Sequence, residues 1–340
     1  MGRGKTIRVL LLAGLVFSSV FGYWALSQGK AAPKLYRQSQ FLLDTLIEIM
    51  VFASDEHDAH TAISAAYTEI GRIESLLSRY SPESQISLVN QSAGKEQFPS
   101  VAHEVFAIVQ RSLDYAVMTD GLFDMTIGPV IDAWSIGTPR ERIPDQAELH
   151  QLLHLVDYRK IVMKSEQGIR LPEPGMALDL GGIAKGYAID QAIAILREHG
   201  VIMALVNAGG DIRCLGTKAD GTPWRVGIQH PREKTEISGV VSLRDAAVAT
   251  SGDYERYFLQ QGIRYHHIID PGTGMPARAC QSVTIVAQTA EQADVLATAV
   301  FVMGPERGLA FLNEHPGIEG MIVRADGEFL FSNGFAFQPQ

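Results

Sequence analysis

Residues 176–190 read Met-Ala-Leu-Asp-Leu-Gly-Gly-Ile-Ala-Lys-Gly-Tyr-Ala-Ile-Asp. A short apolar strand runs into an acid, paired glycines, a lysine and a third glycine, and then into a helix. Glycine lets backbone approach a ligand closely, and the free N–H groups of a helix start favour an anion. Lys185 adds a positive charge. The chemistry this permits is the cradling of a phosphorylated ligand. The spacing is neither GxxxxGK[ST] nor GxGxxG, and a tight strand-to-helix turn would account for the same residues.

A second stretch, residues 289–298, places Thr289 and Gln292 at capping-box spacing, so a helix should begin there. Asp294 and Thr298 then fall one turn apart on one face. Carboxylate and hydroxyl oxygens are hard ligands that suit Mg²⁺, although such a pair on a helix is more often surface or capping. His266 and His267 precede an Asp270-Pro271-Gly272 turn. Adjacent histidines on a strand point to opposite faces, which disfavours one shared zinc; His267 could instead meet a phosphate. Residues 207–211 and 250–254 put small residues where strands end, as turns or as close approaches to a ligand. Residues 123–134 mix aromatic and small side chains around Trp134, either to pack on a ring or to anchor a buried loop. No GxSxG or HExxH is present.

The elements that must position these residues follow from periodicity. Residues 42–52 alternate as a strand. Residues 59–80 carry a helical apolar stripe that Ser81-Pro82 ends. Residues 100–118 form a second amphipathic helix, and 144–155 a short one. Strands are expected at 161–163, 168–171, 204–206, 224–229, 239–243, 247–250, 265–269 and 283–287, with a helix at 189–199 closed by Gly200. Helices at 290–303 and 306–313 and a hairpin of 321–324 with 328–331 complete the chain. Runs of strands with few crossover helices predict an α+β fold with mostly antiparallel sheets and packed helices.

The chain bounds its own partners. A net charge of −9 without a basic patch argues against nucleic acid. Arg3, Lys5 and Arg8 precede and enter an apolar run at residues 7–26 that has the length of a membrane-spanning helix. Its basic flank places that end in the cytoplasm and exports the rest. With no clean A-x-A site, an uncleaved anchor is expected over a cleaved signal. This gives residues 1–30 as anchor or signal peptide and residues 31–340 as one exported domain, on the periplasmic face of the cytoplasmic membrane or, after cleavage, in the soluble periplasm. Cys214 and Cys280 are expected as unpaired thiols.

Taken together and in order, several stretches resemble the ApbE family, the FAD:protein FMN transferases. They are residues 78–87, 123–134, 179–187, 207–211, 250–253, 267–274 and 293–298. The resemblance covers roughly residues 40–335 and departs from many members in having no cysteine near the N terminus for lipid attachment. It implies an ApbE-like (T-fold-type) architecture. It also implies Mg²⁺-dependent transfer of FMN from FAD to a threonine (or serine) hydroxyl of an exported acceptor protein, with release of AMP. The acceptor is expected to be a membrane redox subunit.

By position, the resemblance implies a Mg²⁺ site at the Ala184 carbonyl, Asp294 and Thr298. FAD contacts are implied at Leu43, Tyr80, Trp134, Ser135, Ile136, Asp179, Gly181, Lys185, Tyr187, Ser251, His267 and Ile268. His267, Asp294 and Lys185 are the implied catalytic residues, with His267 as candidate base or phosphate partner. Where the family often has Met-Gly-Thr, this chain has Leu43-Asp44-Thr45. Two other functions fit the same residues: a Mg²⁺-dependent FAD pyrophosphatase giving FMN and AMP, and a non-catalytic flavin-binding protein.

Overall fold

The computed structural model describes residues 32–164 and 168–339. The expected anchor at residues 7–26 lies outside them. Among the described residues no helix is long and apolar enough to cross a membrane.

Two strands open the chain, β1 (Lys34–Leu42) and β2 (Thr45–Ala53). They pair antiparallel around Leu43 and Asp44, whose φ angles are 52° and 57°. A two-residue turn with both central residues left-handed is the type that matches strand twist. The alternation read as one strand from residue 42 therefore belongs to β2 alone, and β1 precedes it where no strand was expected.

Helix α1 (Glu56–Leu77) is capped by Asp55, whose carboxylate accepts Asp58 N at 3.0 Å. Its stripe of Ile63, Ile70, Ile73 and Leu77 is buried. The helix ends at Leu77, three residues before Tyr80, with Ser78 as its C-cap. Next come α2 (Gln85–Gln91), α3 (His103–Met118), α4 (Gly128–Trp134) and α5 (Gln146–Leu153), then the small hairpin β3 (Val162–Lys164) and β4 (Gly168–Arg170). Helix α6 (Ala184–Glu198) begins five residues before the apolar pattern announces it.

The second half carries most of the strands: β5 (Ala204–Ala208), β6 (Asp211–Leu215), β7 (Trp224–Gln229), β8 (Ile237–Leu243), β9 (Ala247–Gly252), β10 (Tyr257–Gln260), β11 (Ile263–His266) and β12 (Cys280–Ala287). Helix α7 (Ala290–Met303) starts at the predicted Thr289 cap, and Gly304, at φ 79°, ends it. Then follow α8 (Pro305–Glu314), β13 (Glu319–Arg324), β14 (Phe329–Phe331) and β15 (Phe337–Pro339).

Eight strands form one sheet in the order β1-β2-β5-β6-β9-β12-β13-β14, and every neighbouring pair is antiparallel. The predicted α+β class with antiparallel sheets is what the chain adopts. Strand alternation sorts side chains to two faces. From β5, Ala204, Val206 and Ala208 enter the core beneath α1, α6 and α7. Leu205, with Cys214 and Val248, enters a second core against the small sheet β15-β8-β7. A third cluster, around Trp134, Leu149, Tyr265 and Ile269, joins α4 and α5 to the β10–β11 hairpin. Cys214 and Cys280 are buried and unpaired.

Candidate active site

The ends of several elements surround a cleft of about 500 Å³. Its walls come from the β1–β2 turn, the end of α1, the loop before α4, the glycine turn into α6, the ends of β5 and β9, the segment after β11, and one face of α7. Leu43, Tyr80, Trp134, Ile136, Asp179, Gly181, Ala184, Lys185, Ser251, His267, Ile268, Asp294 and Thr298 all line it. Stretches far apart in sequence thus meet in one place.

The glycine turn is fixed from both sides. Asn90 accepts Leu178 N at 2.7 Å and donates to Leu178 O at 3.0 Å. Asp179 N donates to Met125 O at 2.7 Å, and Asp179 Oδ1 accepts Gly181 N at 2.7 Å. Asp179 is therefore held as the acceptor of its own turn. Its other oxygen meets Arg79 Nη1 at 3.0 Å, while Arg79 Nη2 meets Asp132 at 2.6 Å. The Arg79 side chain is only 8% exposed. Burial works against its charge, but the two carboxylates outweigh burial and hold the guanidinium above its ordinary value.

Helices α6 and α7 cross at Gly186, where an added Cβ would lie 2.3 Å from Ala290 O. This close approach sets Lys185 beside Asp294. Lys185 Nζ pairs with Asp211 and lies 3.7 Å from Asp294 Oδ1. Asp294 Oδ2 accepts Gly186 N at 3.0 Å. Burial raises the Asp294 carboxyl above the usual range; Lys185 opposes that shift and Asp211 adds to it. Burial likewise works against the Lys185 charge, but Asp211 and Asp294 overcome it and raise the ammonium. Thr298, one turn after Asp294, lies 3.2 Å from Ser251 Oγ through its hydroxyl.

Asp294, Thr298 and Ser251 therefore present only oxygen to the cleft, the donor chemistry of Mg²⁺ rather than of zinc or copper. Among the described residues no cluster of three His, Cys, Asp or Glu side chains forms a metal site. His266 is engaged elsewhere, with Nε2 2.6 Å from Ala277 O and its ring edge-on to Phe301. A buried carboxylate with Oδ1 open, beside the hydroxyls of Thr298 and Ser251, fits a hard divalent ion.

His267 Nδ1 lies 3.3 Å from Arg256 O. A carbonyl partner requires Nδ1–H, which leaves the Nε2 lone pair free. Burial first, and then the Arg256 charge, lowers His267 to about 3, so the ring is neutral at any ordinary pH.

Two expected contacts point elsewhere. The Tyr187 hydroxyl donates to Glu104 at 2.6 Å, and the Arg111 guanidinium sits 5.2 Å from its ring centre. Because α6 turns by about 100° per residue, two positions after Lys185 its side chain leaves the cleft side. Ser135 ends α4 with φ 50°, and its hydroxyl donates to Asp132 O at 2.6 Å. Neither side chain lines the cleft. Conversely, Arg79, Glu74, Asp211, Glu255 and Arg256 were not singled out, although they line the cleft or pair with residues that do. Arg79 and Asp211 sit inside stretches that carry the family resemblance, and for Asp211 the preceding glycine pair at a strand end was the available signal.

The chain is similar to several known proteins. A FAD:protein FMN transferase of Treponema pallidum is 34% identical over 323 residues, covering 90% of this chain and 89% of that one. One from Klebsiella pneumoniae is 32% identical, covering 88% and 92%. Among solved structures, the apbe protein from Thermotoga maritima superposes with a TM-score of 0.83 at 34% identity, covering 89% of this chain and 98% of that chain. The flavin transferase ApbE from Vibrio cholerae gives 0.79 at 28%, with the same coverage. The ApbE family model matches residues 43–322, and the chain belongs to the ApbE family.

Proposed function

We propose that this chain is a Mg²⁺-dependent FAD:protein FMN transferase that moves FMN from FAD onto a threonine (or serine) hydroxyl of an exported acceptor protein. The observation that carries the reading is the convergence of Lys185, Asp294, Thr298 and Ser251 in one cleft that also presents apolar and aromatic side chains, among them Leu43, Phe123, Trp134 and Ile136. A pyrophosphate needs cations and donors; a flavin ring needs flat apolar walls. Both lie within the same 500 Å³.

In this mechanism the acceptor hydroxyl oxygen attacks the FMN-side phosphorus of FAD. The new bond is the phosphoester; the bond broken is the one from that phosphorus to the bridging oxygen, which leaves with AMP. Lys185 and the amides of the glycine turn hold non-bridging oxygens as charge builds. His267, neutral and with Nε2 free, accepts a hydrogen bond that orients the hydroxyl, whose proton leaves with the AMP phosphate. Asp294, Thr298 and the Ala184 carbonyl would hold Mg²⁺, which supplies charge neutralisation at the phosphates. Trp134, Ile136 and Leu43 orient the ring system so that the phosphorus is presented to the acceptor. The enzyme is placed on the periplasmic face of the cytoplasmic membrane, held by residues 7–26, with a membrane redox subunit as acceptor.

The test incubates the purified full chain in detergent with FAD and Mg²⁺, with and without an exported threonine-bearing acceptor. AMP that appears only with acceptor, together with covalent flavin on it, supports transfer. AMP with free FMN in the absence of acceptor points to a pyrophosphatase. No AMP in either arm leaves a flavin-binding protein and sinks the enzymatic reading.

A further inference from the structure

Asp211 is the first residue of β6, directly after Gly209 and Gly210, whose φ angles are 62° and 104°. It is 3% exposed. Oδ1 faces Thr250 N at 3.3 Å, and Oδ2 makes the tightest contact of the Lys185 ammonium. The same ammonium stands 3.7 Å from Asp294 Oδ1, beyond hydrogen-bond length. The other Asp294 oxygen is occupied by Gly186 N. Oδ1 of Asp294 is therefore the more open of the two oxygens to a cation, and it is the oxygen nearest to Lys185. Lysine and a divalent ion are rivals for one atom.

We propose that Asp211 is a positioning residue: it is the fixed counter-ion that holds the Lys185 ammonium off Asp294 Oδ1, keeping that oxygen open to a divalent cation. This rests on the Mg²⁺ reading of Asp294 given above. The strand-end turn makes Asp211 suited to the task. Its backbone is set by the β5–β6 pairing and its side chain by Thr250 N, so the carboxylate does not follow the lysine. Lys185 keeps its charge, available to a phosphate, without spending it on Asp294. Without Asp211, Asp294 Oδ1 becomes the nearest carboxylate oxygen to the ammonium, and the lysine closes onto it.

The test measures Mn²⁺ affinity of the purified full chain by the spin-resonance signal of free Mn²⁺, without FAD, so that turnover does not enter. The variants are Asp211→Asn, Lys185→Met and the pair together. Asp211→Asn should weaken Mn²⁺ by about tenfold or more in the wild-type background, as a unit charge moved within about 4 Å of the site requires. In the Lys185→Met background, with no ammonium to misplace, the same change should cost less than about threefold. Equal cost in both backgrounds means that Asp211 acts through its own charge and overturns the proposal, as does no cost in either. Should Asp211→Asn alone fail to fold, the Lys185→Met pair still decides, because the double variant leaves no buried charge of this ion pair unpartnered; a tenfold loss there overturns the proposal. Absence of Mn²⁺ binding by the wild type overturns the metal reading and this inference with it. Binding with equal costs overturns this inference alone.

Discussion

Gly186 N donates to Asp294 Oδ2 at 3.0 Å across the crossing of α6 and α7. One hydrogen bond thus ties the helix that carries Lys185 to the helix that carries the candidate metal ligand. The bond exists because position 186 has no side chain. A Cβ there would come within 2.6 Å of Glu291 Cα as well as Ala290 O.

Gly186→Ala should therefore push the helices apart at the site. Overpacking of this kind costs about 3 kcal/mol. The expected result is a clearly lowered melting temperature together with weakened Mn²⁺ binding, read by calorimetry and metal titration on the same sample. A variant that melts and binds as the wild type does would show that the crossing is slack.

Arg79 should be irreplaceable by lysine. Its guanidinium spans Asp179 and Asp132 and also reaches Gly128 O at 3.2 Å. A point ammonium cannot bridge three acceptors in a fork. Arg79→Lys and Arg79→Ala should both raise the KM for FAD by about tenfold or more, and the alanine variant should lose about 3 kcal/mol of stability by leaving the buried Asp179 carboxylate uncompensated. Steady-state kinetics and chemical denaturation check this; a lysine variant with native KM would remove Arg79 from the cleft's architecture.

His267 gives a pH prediction. Its folded value, about 3, lies below the ordinary 6.5. The folded state thus prefers the neutral ring, and the unfolded chain binds a proton first as pH falls. The stabilising contribution is complete above about pH 6.5 and is lost progressively toward pH 3. His267→Gln should flatten the acid side of the stability profile over that window. In the wild type, kcat/KM should show no inflection near 6.5 assignable to this residue. A proton-coupled chemical shift of the His267 ring moving at pH 6 to 7 would contradict both statements.

The full-length protein should remain in the membrane pellet after carbonate extraction, through residues 7–26. Fractionation followed by N-terminal sequencing checks it. Soluble periplasmic protein beginning near residue 30 would show a cleaved signal, and would leave the cleft chemistry untouched.

The fold class was legible in the runs of strands, and some of the residues that meet in the cleft were legible in their local pattern. Asp294 and Thr298 could be placed on one helix face because the Thr289 capping box fixes the phase of that helix, and the structure starts α7 where that phase requires. Lys185 was legible because glycines mark a close approach. Tyr187 was not, because sequence adjacency to Lys185 says nothing about a helix that rotates it toward Glu104 and Arg111. Strand β1 was hidden by its own position: an edge strand buries little, so Lys34–Leu42 carries no apolar alternation to read. Strand β6 was hidden by its turn, since Gly209-Gly210 reads as loop and the five residues after it are too few to show a period. Asp211 stood at that boundary, and its partner lies across space rather than along the chain.

The β1–β2 turn sets thermal robustness against shape. Leu43 and Asp44 hold left-handed backbone that asparagine and glycine adopt with greater ease. Leu43 N is steadied by Glu74 Oε1 at 3.1 Å, and both turn side chains face the cleft. An engineer who installed Asn-Gly to harden the hairpin would relax the backbone and, in the same step, take down part of the wall that a substrate must lean on. At this turn the two aims of protein design, endurance and fit, act on the same two residues in opposite directions.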